Sequence, residues 1–213
     1  PRPGVRGDVL TLVLLTLGQL DAGSVGSGVE ASLELLGTPY EWGGRLRRKE
    51  GIDCYGVVLA AAERASGCGW RSYPVKPTEI VAKQLWGAPV EGLSPISTKA
   101  LTLESLQAGD VLMLIGPAEN PAEPAVGLLD GTPVWVWHVG LYLGDGRHVV
   151  GDHHAGKTVI EPLLPYLEAH RDEYAGVFVT RGPAKKPANC RRHPPLAPAR
   201  IRTRAGAAAE PAS

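Results

Sequence analysis

Residues 51–66 read "GIDCYGVVLAAAERAS", with one cysteine placed where a helix begins. Val57, Val58, Ala61 and Ala65 fall near i, i+1, i+4 and i+8. They form one apolar stripe and predict a helix from Cys54 to about Ser66. Asp53 suits the N-cap, and Gly67 suits the C-terminal stop. Cys54 then occupies the first turn, where unpaired N–H groups and the helix dipole favour a thiolate. A buried, inert cysteine is the competing reading, and the rest of the chain decides between them.

The strongest β signal is "VWVWHVGLYLGDGRHVVGD", residues 134–152. Two strands, over 134–143 and 147–151, flank the hairpin pair Asp145-Gly146. Ahead of the cysteine, residues 28–36 read as a helix ended by Gly37, then a Pro-Tyr turn and a Trp42-Gly43-Gly44 loop. After it, Thr78 caps a helix reaching about Trp86, Thr102 starts a short turn, and a strand covers 111–115. Residues 116–133 read as a long loop. A strand at 158–160, a short helix at 165–170 and a last strand at 176–180 follow. Helices come first and antiparallel strands afterwards, so the fold class is α+β.

The chain has 213 residues, a formal net charge of zero and 44% hydrophobic residues, enough for one domain with appendages. That charge balance gives no reason to expect nucleic acid as a specific partner. The three cysteines admit two arrangements. Either Cys54 is free while Cys68 and Cys190 pair in an oxidising compartment, or all three are unpaired. Arg2 and Arg6 precede an apolar run over 9–17, and Leu20-Asp21-Ala22 resembles a cleavage site. Residues 1–24 therefore read as a secretory signal peptide or as an N-terminal helix, and the run is too short to span a membrane. From 185 onward the chain has seven Lys or Arg against one Glu and several prolines, so residues 183–213 read as a flexible basic tail.

His138 stands inside an otherwise apolar strand. A lone histidine there is more often a hydrogen-bonded core residue. A cysteine at a helix start followed much later by a strand histidine is, however, the order of papain-like thiol hydrolases. There, imidazole takes the thiol proton and later returns it to the leaving amine. Four segments, "GTPYEWGG" (37–44), "GIDCYG" (51–56), "LQAGDVLML" (106–114) and "HVGLYLGDGR" (138–147), occur in the order found in NlpC-type cysteine peptidases of bacterial cell walls and phage tails. Residues 28–181 resemble that family.

The resemblance implies a papain-like fold, with N-terminal helices packed on a small antiparallel sheet. It implies a monomer that needs no metal or cofactor and acts outside the cell or in its envelope; a phage tail or the cytoplasm is the alternative. Cys54 would be the nucleophile and His138 the general base and acid. Tyr40 would line the wall near the oxyanion, Asp53 would face the substrate's free amine, and Trp42 would flank the substrate. Family members commonly cut peptidoglycan stem peptides at the γ-D-glutamyl–diamino acid bond, so peptidoglycan or its muropeptides would be the partner.

Two departures stand out. Many wall-cleaving members carry serine after the cysteine, where this chain has Tyr55, as in the phage-tail branch. The polar residue that orients the histidine usually lies twelve positions past it, where this chain has Val150. Side chains on one strand face recur every second residue, so Asp152 is the nearest polar group on the expected face, with His153 and His148 as alternatives. Two other readings remain: a module that binds wall glycopeptide without cutting it, and a metal-dependent hydrolase using His148, Asp152, His153 and His154.

Overall fold

The computed structural model describes residues 25–45 and 51–191. Helices α1 (Val25–Leu33), α2 (Cys54–Ser66) and α3 (Pro77–Ala82) come first. Strands β1 (Ala88–Pro89), β2 (Ile96–Ser97), β3 (Val111–Gly116), β4 (Gly127–Leu129), β5 (Thr132–Tyr142), β6 (Arg147–Asp152) and β7 (Lys157–Pro162) follow. Helix α4 (Leu163–Ala169) and strand β8 (Gly176–Arg181) complete the order. The strands join in one antiparallel sheet, β1-β8-β3-β5-β6-β7, with β2 added to β8 and β4 to β5. The α+β expectation holds.

Helix α2 begins and ends where its sequence dictates. The Asp53 carboxylate accepts the Gly56 N–H at 2.8 Å, which satisfies one of the orphan donors of the first turn. Gly67 then takes a left-handed conformation, φ 71°, and sends its N–H back to the Glu63 carbonyl. The apolar stripe proves wider than its spacing predicts: Val57 through Ala62 are all buried. α2 lies between α1 and the sheet, and alanine lets its neighbours approach. A Cβ placed on Gly28 of α1 would lie 3.5 Å from the Ala61 Cβ.

Both faces of the sheet are covered. Val111, Met113, Ile115, Val139, Leu141 and Val149 pack with α2, while Leu112, Leu114, Tyr142, Val177 and Val179 pack with Leu163, Tyr166 and Leu167 of α4. β3 is therefore a continuous apolar run, buried at all six positions. Burying each Val or Leu in this way contributes about 1.5–3 kcal/mol.

Three elements depart from the sequence reading. α1 spans 25–33 rather than 28–36. α3 stops at Ala82, and the chain then turns at Gln84, whose φ is 51°. Within 116–133, expected as loop, β4 pairs with β5 across Asp130-Gly131. Both turn residues have positive φ, 49° and 80°, which matches the twist of a tight hairpin.

The "AGD" segment is structural. Asp110 is fully buried, accepts the Gln107 N–H at 2.8 Å and receives two bonds from Arg181 at 2.7 and 2.6 Å. Cys68 and Cys190 form a disulfide, which is the oxidising arrangement of the two foreseen, and Cys54 remains free. Beside that bridge, Gly69 donates to the Arg191 carbonyl and Arg191 N–H donates to Ser72, both at 2.9 Å. Residues 183–191, expected to begin the flexible tail, are thus tied to the domain. The rest of that tail and the 1–24 segment lie outside the described residues. No helix among the described residues is long and apolar enough to cross a membrane.

Candidate active site

Cys54 is the first residue of α2 and is 3% exposed. Its sulfur faces the backbone N–H of Val139, the residue after His138 on β5. The ladder between β5 and β6 joins Leu141 to Val149 and Tyr142 to His148. Beyond those pairs the start of α2 lodges against both strands. A Cβ on Gly151 would lie 2.8 Å from the Asp53 carbonyl oxygen and 3.1 Å from the Cys54 nitrogen.

His138 pairs with Leu114 of β3, immediately beside a register shift that leaves Trp137 as the extra residue on β5. Such bulges re-aim the neighbouring side chain. The His138 ring lies nearly parallel to those of Tyr166 and Tyr174, with centroids 6.4 and 6.1 Å away. Its Nε2 is buried and has no hydrogen-bond partner. Among the described residues no hydrogen bond joins the sulfur to the imidazole; the cysteine meets the neighbouring amide instead.

Burial dominates the electrostatics. It pushes the Cys54 thiol up to about 11, against the opposing pull of the Val139 N–H, the Arg45 guanidinium and the first-turn amides. The helix-start effect read from sequence is present, but desolvation outweighs it. Burial also pulls His138 down to about 3, and the neighbouring histidines 153, 148, 154 and 170 pull the same way. Both shifts run toward the neutral thiol and the neutral imidazole.

Tyr40 is partly buried and close enough to Cys54 for a thiolate to disfavour its own ionisation. With burial as the larger cause, its hydroxyl is raised to about 12. Asp53 is turned inward. One carboxylate oxygen caps α2 and the other pairs with Arg45. Trp42 stands 76% exposed on the turn after Tyr40. Tyr55 packs on Trp86, rings 5.6 Å apart, with the Arg45 guanidinium 4.8 Å above its own ring.

Asp152 ends β6 and is buried, with one oxygen accepting the His154 N–H at 2.9 Å and lying 4.0 Å from His153 Nδ1. Of the buried carboxylates among the described residues, Asp53 and Asp110 are paired with arginines, whereas Asp152 has no arginine or lysine partner among those residues. His148 is fully buried over Gly140, its Nδ1 3.0 Å from the Glu161 carbonyl and its Nε2 without a partner. The metal-ligating set read from sequence is therefore divided. His153 and His154 can share an ion with Glu173, while His148 and Asp152 fall outside that group.

Sequence reasoning missed Arg45, Tyr166, Tyr174 and Glu173. Arg45 lay in a basic run that reads as solvated surface; its φ of 47° marks a constrained position. The two tyrosines and Glu173 reach the site only through the return of α4 and β8, which no local spacing announces.

No protein-family model and no curated protein matches the chain. Solved structures do. The peptidoglycan hydrolase RipB of Mycobacterium tuberculosis is 22% identical, with 74% of this chain and 64% of that one covered, at a TM-score of 0.45. The chain thus spans less than two thirds of that protein. The P60 domain of an antigen from M. avium subspecies paratuberculosis is 18% identical, covering 74% and 93%, at 0.46. RipD of M. tuberculosis, described as a non-catalytic NlpC/p60 domain protein adapted to peptidoglycan binding, is 17% identical, covering 74% and 95%, at 0.42. Many of the solved structures to which this chain is similar are NlpC/p60 domains.

Proposed function

We propose that the chain is a cysteine hydrolase that cuts an amide bond in a peptidoglycan stem peptide, of the γ-D-glutamyl–diamino acid type. The observation that carries this reading is the position of Cys54: a free thiol at a helix start, set against the amide next to His138. In this reading His138, neutral at rest, takes the thiol proton as sulfur attacks the scissile carbonyl. The oxyanion that forms is held by the Cys54 N–H at the start of α2, with Tyr40 beside it. The tetrahedral species collapses to a thioester as His138 protonates the leaving amine. Water, activated by His138, then releases the acid.

Asp152 takes the orienting role in this scheme. It is a buried carboxylate without an arginine or lysine partner among the described residues, and it lies 4.0 Å from His153, whose ring meets that of His138. Trp42 offers an exposed aromatic surface to the substrate. Asp53 acts through Arg45, whose charge favours the thiolate. The action belongs outside the cell or in its envelope, in keeping with the Cys68–Cys190 bridge.

A second reading, a wall-binding module, draws on the burial of both groups, Cys54 at 3% and His138 at 2% exposed. Incubation with purified sacculi separates the two. The hydrolase releases soluble stem-peptide fragments, whereas a binding module sediments with the sacculi and releases none.

A further inference from the structure

Beside the thiol site, His153 and His154 on the turn after β6 meet Glu173 from the segment between α4 and β8. One donor atom from each lies within 4.8 Å of the others. His154 Nε2 is 3.4 Å from Glu173 Oε1, and His170 Nδ1 is 3.7 Å from the same oxygen. The His153 and His154 ring centroids are 3.8 Å apart, and those of His154 and His170 are 4.4 Å apart. We propose that His153, His154 and Glu173 form a binding site for a zinc-class divalent ion beside the Cys54–His138 pair, and that its occupancy slows access to Cys54.

Ligand chemistry and spacing both fit. Zinc binds imidazole nitrogen and carboxylate oxygen at about 2.0–2.2 Å, so two ligands of a tetrahedral ion lie about 3.3–3.5 Å apart. The His154–Glu173 pair already has that separation. The side chains of His153, His154 and Glu173 are 42%, 42% and 46% exposed, so small rotations can draw the third donor in. Two histidines and one glutamate leave a fourth position open to water or substrate. Asp152 braces the turn through the His154 N–H, and its carboxylate lies 4.0 Å from His153 Nδ1.

The link to the thiol site is His153, whose ring meets the His138 ring edge-on at 6.0 Å and lies the same distance from Tyr40. An ion there ties the β6 turn to the segment before β8, beside the His138 ring. The gating half of the proposal rests on the hydrolase reading; the binding half does not.

The test uses zinc alone and two readouts. In Cys54→Ala protein, where no thiolate can take the metal, calorimetric titration should give one saturable zinc site. Glu173→Gln and His154→Ala should each weaken it at least about tenfold. Absence of saturable binding, or binding that both variants leave unchanged, overturns the site. In wild-type protein zinc should slow iodoacetamide labelling of Cys54, and Glu173→Gln should remove that protection. If zinc protects Cys54 equally in Glu173→Gln, the metal acts on the thiol directly and the gate is wrong. Labelling needs no substrate, so this result stands apart from any failure of the hydrolase reading.

Discussion

Gly151 on β6 lies against the backbone that starts α2: a Cβ there would come within 2.8 Å of the Asp53 carbonyl oxygen. This contact sets the height of Cys54 above the sheet. Gly151→Ala must push the helix start away, because the atoms it meets are backbone. We predict a loss of about 100-fold in kcat, the size expected when a reacting group moves by about 1 Å, with the far-ultraviolet spectrum unchanged. Near-full activity would mean that the helix start is not held by this contact.

The thiol should be sluggish at rest. With Cys54 raised to about 11, its iodoacetamide labelling should climb only above the ordinary thiol value of ~8.5. Arg45→Ala should move the curve further up, since the guanidinium favours the thiolate. Full-rate labelling of Cys54 near pH 6 would instead indicate a preformed ion pair.

Asp152→Ala should lower kcat strongly while KM changes little. Loss of a triad's orienting residue costs up to ~10⁴-fold, and less here because the imidazole still lies alongside two tyrosine rings. Asp152→Asn should recover part of the rate. His148→Asn should stay within about threefold of wild type. The reverse ranking would assign the orienting role to His148, whose Nε2 is also buried without a partner.

His148 also predicts an acid weakness. Burial lowers it to about 4, opposed by the Glu161 carbonyl and Asp152, while Tyr166 from α4 lies edge-on to its ring. The unfolded chain protonates this residue near pH ~6.5, so below that pH the unfolded state binds more protons and stability falls as pH falls. The slope is about 1.4 kcal/mol per pH unit between pH ~6.5 and the folded value. Denaturant unfolding at pH 7 and pH 5 should show this loss, to which His138 adds in the same direction, and His148→Asn should reduce it. A wild-type stability that is flat over this range would contradict the assignment.

Local signals carried much of this architecture. The Asp53 cap, the α2 span, the Asp145-Gly146 hairpin and the strand bearing His138 follow from spacing and turn chemistry. The β4 hairpin was equally legible, since Asp130-Gly131 carries the same signature, but the prolines and glycines around it read as loop. Long-range events left no such mark. The Arg181 partner of Asp110, the arrival of Glu173 beside His154 and the tyrosine rings near His138 depend on where the sheet brings distant segments. The electrostatics of Cys54 are only half legible for a related reason: helix position is visible in sequence, whereas the depth of burial that opposes it is not.

The central claim is that Cys54 attacks an amide of a stem peptide. The direct measurement is digestion of defined muropeptides by wild-type, Cys54→Ala and His138→Ala proteins, with product masses read by mass spectrometry. Wild type should split the γ-D-glutamyl–diamino acid bond, and both variants should leave the substrate whole. Cleavage that persists in Cys54→Ala and stops on adding a chelator would contradict that claim, and would transfer the chemistry to a metal.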